Sequence, residues 1–142
     1  MPTSLKFLAA DLDICARTVW AEARGDGHEA MKAVAHVLLN RVRATAGQFA
    51  RDDTLASACL RHLQYSCWNL GDPNFDKMFD LAFDSGSFRA AWRAVLEAID
   101  EPDFTAGALH YYSTTMPAPP PWAAGHAPCF TLGKHIFFND IP

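Results

Sequence analysis

The sequence has no basic excess. Its 12 lysines and arginines are outnumbered by 16 aspartates and glutamates, which leaves a formal net charge of -4. A dedicated nucleic-acid binder carries the opposite balance, so nucleic acid is not an expected partner. A grip on an acidic polymer would have to come from a local cleft rather than from bulk attraction. The chain also has no apolar run approaching the roughly 20 residues that span a bilayer, so it is not expected to cross a membrane. A secretion signal is missing as well. Lys6 is followed by Phe7, Leu8, Ala9 and Ala10 before Asp11 and Asp13 interrupt, and a signal needs a longer apolar stretch with a small-residue cleavage site. The expectation is a protein made in the cytoplasm that needs a separate route to any target outside it.

Several chemistries lack their marks. There is no HExxH, no CxxC and no GxSxG, the spacings that signal zinc sites, redox pairs and activated serines. His110 and His135 fall in one aromatic section and could share a metal, but no third ligand is evident. No metal and no cofactor are expected. The four cysteines are Cys15, Cys59, Cys67 and Cys129. Cys59 and Cys67 could bridge after export, but free thiols are the default for a chain made in a reducing compartment.

What is there reads as one globular domain over 1–142. Half of the residues are hydrophobic and a fifth are charged, as in a folded chain long enough to bury a core. Apolar residues at spacings of three and four predict a helix over 5–23, with Leu5, Leu8, Leu12, Cys15 and Val19 on its inner face. Gly25 and Gly27 should end it. A second helix over 27–44, slim with alanines, reads as the centre of the fold, with Arg41 and Arg43 suiting its C-terminal dipole. Shorter helices are expected over 55–61 and 75–83, and a clear one over 87–99 capped by Ser85 or Ser87. The last third changes character. Residues 108–113, 130–132 and 135–138 read as strands around a proline-rich loop, with Gly133 and Lys134 at a turn. The fold class is therefore α+β, mainly helical, with a small antiparallel sheet in the C-terminal third.

Two features suggest a site. Glu22 ends an apolar helix beside Trp20, and a carboxyl against an aromatic wall loses hydration and keeps its proton near neutral pH. A glycosidase needs such an acid to protonate a leaving oxygen. The commoner fate of a helix-end glutamate is a surface pair, here with Arg17 or Arg24, so position alone makes Glu22 a candidate. Gln64, Tyr65, Ser66, Trp68, Asn69, Tyr111 and Tyr112 combine flat faces with amides and hydroxyls, which suits a glycan cleft and equally suits core aromatics with wet tips. A partner carboxylate would have to come from Asp26, Glu29, Asp72, Asp76 or Asp103, and none stands out.

Ordered segments give these residues a context. Glu22-Ala23-Arg24-Gly25-Asp26, an alanine- and valine-rich helix ending Asn40-Arg41-Val42, Gln64-Tyr65-Ser66, Gly107-Ala108-Leu109-His110-Tyr111-Tyr112, Pro121-Trp122 and Gly133-Lys134-His135-Ile136-Phe137 follow one another. In this order they resemble the SleB/CwlJ-type cell wall hydrolases, which include spore-cortex-lytic enzymes and phage or prophage endolysins. The resemblance implies a lysozyme-like fold, Glu22 as the catalytic acid, and cleavage of the β-1,4 bond between N-acetylmuramic acid and N-acetylglucosamine by lytic transglycosylation. It places Gln64, Ser66, Trp68, Tyr111, Tyr112 and His135 along the substrate cleft, with Tyr111 and His135 near Glu22. Asp26, Tyr65 and Ser113 depart from the Glu, Phe and Asn frequent in the family. The same resemblance implies peptidoglycan glycan strands as partner. The lack of the wall-binding domain and signal peptide of some spore enzymes favours an endolysin or prophage lysis protein released through a holin, and fits an isolated catalytic domain equally; a monomer is expected. Hydrolysis with a second carboxylate, amidase chemistry and a non-catalytic glycan-binding module are the alternatives.

Overall fold

The computed structural model describes residues 7–44, 47–49, 53–61 and 65–142. Five helices come first: α1 Ala9–Ala23, α2 His28–Arg43, α3 Leu55–Leu60, α4 Pro73–Phe79 and α5 Gly86–Asp100. Three strands follow: β1 His110–Ser113, β2 Phe130–Leu132 and β3 His135–Phe138. The α+β class is borne out.

Helix α2 is the centre. It buries Ala30, Met31, Ala33, Val34, Ala35, Val37, Leu38 and Leu39, so it is covered nearly all round. Its alanines let α1 and α5 approach closely, and both pack against it. Two helix starts are fixed by side chains. Asp72 accepts from the Asn74 N–H at 2.8 Å ahead of Pro73, and Ser85 accepts from the Phe88 N–H, satisfying amides that a helix start leaves open. Gly27 makes the α1–α2 corner at φ 92°, ψ 178°, a conformation that glycine alone adopts without strain.

The sheet runs β1-β3-β2, antiparallel throughout, with Tyr111 opposite Phe137 and Ser113 opposite His135. Alternation turns Phe137 inward, where it meets Ala33, Val37 and Ala108. The sheet is thereby seated on α2.

Some expected boundaries move. The first helix starts at Ala9 rather than residue 5, because Asp11 accepts from the Leu8 N–H at 3.2 Å and so caps it there. Leu8 is 71% exposed instead of buried, and Leu5 lies outside the described residues. The glycine that ends this corner is Gly27, since a 3₁₀ turn over Arg24–Asp26 follows α1. Helix α4 stops at Phe79, short of residue 83. Strand β1 begins at His110 rather than 108, because the carbonyl of Ala108 is taken by the Asn40 amide at 3.0 Å.

Candidate active site

Glu22 sits in the last turn of α1, where the helix end meets β1. Tyr111 projects from β1 and its hydroxyl donates to Glu22 Oε2 at 3.1 Å. Burial raises the Glu22 pKa to about 7. The Tyr111 bond opposes that rise, Asp72 adds to it, and the Arg41 charge opposes it. The carboxyl is therefore about half protonated at neutral pH, the condition a general acid needs. The surface-pair alternative is not what forms. Arg17 pairs with Asp13 at 3.1 Å, while Arg24 reaches Asn74 at 3.0 Å and lies over the Trp20 ring.

A cleft of about 820 Å³ opens over Glu22. Tyr65, Ser66, Tyr111, Tyr112 and His135 line it. Past Glu22 the depression continues into a polar arm of about 490 Å³ that includes Arg24, Asn74, Thr115 and Lys134. Glu22, Ser113 and His135 border both parts. The acid thus stands in the middle of a long groove rather than at its end. Glu22 is the one Asp or Glu side chain lining the larger part among the described residues.

His135 is buried on β3. Its Nδ1 lies 3.1 Å from Asp26 Oδ2, and the ring is hydrogen-bonded to the Glu22 backbone. Burial lowers its pKa despite Asp26 and so favours the neutral ring, which braces the helix end that carries the acid. Tyr112 stacks on Phe138 with centroids 5.8 Å apart and meets Trp122 edge-on at 5.9 Å, which holds both rings along the cleft wall.

Two expectations need correction. Trp68 does not line the cleft. Its indole N–H donates to Thr18 Oγ1 at 2.9 Å and its ring packs on the helical core, because a short 3₁₀ turn over Ser66–Trp68 sends residues 66 and 68 to different sides. Trp20 is not the wall beside Glu22 either. Its N–H donates to Ser87 Oγ on α5, and the aromatic residue that contacts the Glu22 carboxyl is Tyr111, through its hydroxyl. Gln64 lies outside the described residues. The cysteines are free, and Cys59 and Cys67 are both buried.

Arg41, His110 and Trp122 belong to the cleft, although the sequence suggested only a helix-dipole role for Arg41, a metal shared with His135 and then set aside for His110, and a loop position for Trp122. Arg41 is only 4% exposed. Its Nε donates to the Leu109 carbonyl at 2.8 Å and its guanidinium lies 4.1 Å from the Phe49 ring centroid. Its Nη1 finds no hydrogen-bond partner among the described residues. The signal was present: Arg41 follows Val37 and Leu38 at helical spacing, on a stripe that is otherwise apolar. His110 stands between Phe49 and Trp122, and burial, then Arg41, lower its pKa to about 4. Among the described residues no three His, Cys, Asp or Glu side chains gather as metal ligands do.

Residues 25–138 match the family model for cell wall hydrolases. The chain belongs to the cell wall hydrolase family. The match begins three residues after Glu22 and takes in every other cleft residue from Arg41 to His135. Curated relatives agree with it. The spore cortex-lytic enzyme of Bacillus subtilis is 29% identical over 131 residues, covering 89% of this chain and 37% of the relative. That of Halalkalibacterium halodurans is 28% identical over 129 residues, covering 91% and 34%. The chain thus spans about a third of the length of these relatives. Solved structures are similar over nearly the whole chain. The catalytic domain of the Bacillus cereus SleB protein superposes with a TM-score of 0.75 at 26% identity, covering 97% of this chain and 98% of that one. The catalytic domain of the germination-specific lytic transglycosylase SleB from Bacillus anthracis gives 0.73 at 26%, covering 97% and 99%. The family resemblance carried by the ordered segments is therefore borne out.

Proposed function

We propose that this cell wall hydrolase cleaves peptidoglycan strands as a lytic transglycosylase, with Glu22 as its single acid–base group. The observation that carries the reading is a carboxyl whose pKa is raised to about 7 in the middle of a long groove, where the one other carboxylate among the described lining residues, Asp26 in the polar arm, faces His135 at 3.1 Å. An inverting glycosidase uses a second carboxylate to activate water, and a retaining one uses it as nucleophile. A transglycosylase needs neither. The similar Bacillus anthracis domain belongs to a lytic transglycosylase, which supports the same chemistry here.

In the first step Glu22 gives its proton to the glycosidic oxygen between muramoyl C1 and the 4-position of N-acetylglucosamine. The C1–O bond breaks, the glucosamine leaves as an alcohol, and positive charge develops at C1. Glu22 is now a carboxylate. The Tyr111 hydroxyl and the Arg41 charge both favour that form. In the second step the muramoyl 6-hydroxyl adds to C1 and passes its proton to Glu22. A 1,6-anhydro ring closes and the acid is restored, so atoms and protons balance without water.

The resemblance to phage and prophage endolysins supports a finer reading. The chain would be made in the cytoplasm and act as a monomer on the wall after a holin opens its route.

Digestion of purified sacculi by the natural chain and by Glu22→Gln, read by mass spectrometry, tests the chemistry. Anhydro-muramoyl ends from the natural chain, with a loss of roughly 10²–10⁴-fold in the variant, are expected. Reducing muramoyl ends would mean hydrolysis. Equal activity from the folded variant would overturn the role of Glu22.

A further inference from the structure

Away from the cleft, one side of α5 is unlike a solvated helix face. Arg89, Trp92, Arg93 and Leu96 recur at i, i+3, i+4 and i+7 and so form a single stripe. Phe88, Ala91, Val95 and Ala98 are buried on the other side. The stripe borders a groove of about 370 Å³ that also takes in Phe83 and Phe88. The three rings brace one another, with centroids 5.3 Å apart for Phe83–Phe88 and 5.9 Å for Phe88–Trp92. Arg17 supports them. Its guanidinium lies 5.0 Å from the Phe88 centroid and is held by Asp13 and the Met78 carbonyl. The aromatic surface is therefore fixed in advance, yet Phe83 remains 64% exposed.

Arg89 and Arg93 flank these rings. Neither forms an ion pair with another described residue. The nearby Glu97 feels the Arg93 charge, but its carboxylate is engaged by His28 and Lys32. Two exposed guanidinium groups without an ion pair among the described residues thus stand beside the exposed face of Phe83.

We propose that this groove is a second wall-binding site, holding a peptide-bearing glycan strand outside the catalytic cleft. The proposal rests on the peptidoglycan reading above. Its chemistry is two-part. Flat rings offer an apolar surface to the C–H faces of sugars. Guanidinium forks take carboxylates in a bidentate fashion, which a lysine does less well. Peptidoglycan presents both on one polymer, sugars along the strand and carboxylates on its stem peptides. A purely apolar partner would strip water from Arg89 and Arg93 without replacing it, which charge burial makes costly. A strand held here keeps the catalytic groove close to further bonds of the same polymer, raising their effective concentration.

The test uses the inactive Glu22→Gln chain pelleted with purified sacculi, alone and with Arg89→Glu/Arg93→Glu or with Trp92→Ala. The expected result is a fall in apparent affinity of about tenfold or more in both variants. In chains that retain Glu22, the same changes should slow cleavage of sacculi and leave cleavage of short soluble muropeptide chains at the natural rate. The arginine pair is exposed, so its reversal keeps the test valid should Trp92→Ala fold poorly. Unchanged pelleting in the folded arginine variant would overturn the proposal. So would a concentration-dependent dimer that only the groove variants abolish, since that assigns the face to a second copy of the chain. If the natural chain cleaves nothing while the groove variants still lose pelleting, the groove stands and the catalytic reading fails.

Discussion

The Tyr111 hydroxyl lies 3.1 Å from Glu22 Oε2 and joins the end of the first helix to the first strand across 89 residues of sequence. Because the phenol donates, it favours the carboxylate over the acid. Tyr111→Phe should therefore raise the Glu22 pKa above its value of about 7. Activity that needs the protonated form is lost as pH rises through that pKa, so the alkaline limb should move upward. A hydrogen bond to a charged group contributes about 1.5–3 kcal/mol, or roughly one to two pH units. A pH profile of sacculus cleavage reads it. A lower rate with an unmoved limb would assign Tyr111 to substrate binding alone.

Arg41 should act on the same limb from a different side. Its buried guanidinium also holds the Glu22 pKa down. Arg41→Met is expected to move the alkaline limb upward and lower kcat, because the carboxylate formed in the first step loses its nearby positive charge. Arg41→Lys keeps the charge and should restore the limb. Arg41 also binds the Leu109 carbonyl, so a thermal melt must accompany the profile. If Met and Lys give the same limb, the electrostatic role is wrong.

Glu22 and His110 make opposite demands on stability. Folding raises the Glu22 pKa from 4.5 to about 7. The folded state then holds the extra proton, and its stability declines as pH rises from about 4.5 to 7. Glu22→Gln removes that burden and should stabilise the fold at pH 8 by about 3 kcal/mol, with little change at pH 4. His110 has its pKa lowered to about 4. Its stabilisation is complete above about 6.5 and is lost as pH falls towards 4, so His110→Gln should flatten the acid side. Urea midpoints at pH 4, 6 and 8 separate the two slopes, and parallel curves for both variants would sink the account.

Gly27 tests the corner that aims Glu22. A Cβ there meets no atom within 4 Å, so the obstacle is the backbone conformation itself at φ 92°. Gly27→Ala should cost about 1–3 kcal/mol. It should also reduce activity beyond the loss of folded protein, because the turn sets the angle between α1 and α2. A melt equal to that of the natural chain would show that the corner relaxes freely.

Much of the fold was legible because its signals are local. The 3.6-residue period marked α2 and α5, Ser85 and Ser87 marked a helix start that the structure gives to Ser85, and Gly133 with Lys134 marked the β2–β3 turn. Boundaries were less legible. The start of α1 depends on a cap by Asp11, whose other oxygen serves the Ala56 N–H in α3, and no local pattern carries such a contact. Of the candidate site residues, Ser66, Tyr111, Tyr112 and His135 reach the cleft. Trp68 does not, since the direction of a side chain in a three-residue turn is decided by what it can bond to, here Thr18.

By itself the sequence determined an α+β chain of the cell wall hydrolase family and put an acidic residue at the end of its first helix, because periodicity, caps and ordered motifs are all written within short stretches. Only the tertiary structure decided which aromatic residue bonds that acid, that Arg41 is buried in the same cleft, and which neighbours set the balance of the acid's pKa. Desolvation and hydrogen bonding are properties of neighbours in space, and the neighbours that matter to Glu22 come from other elements of the fold.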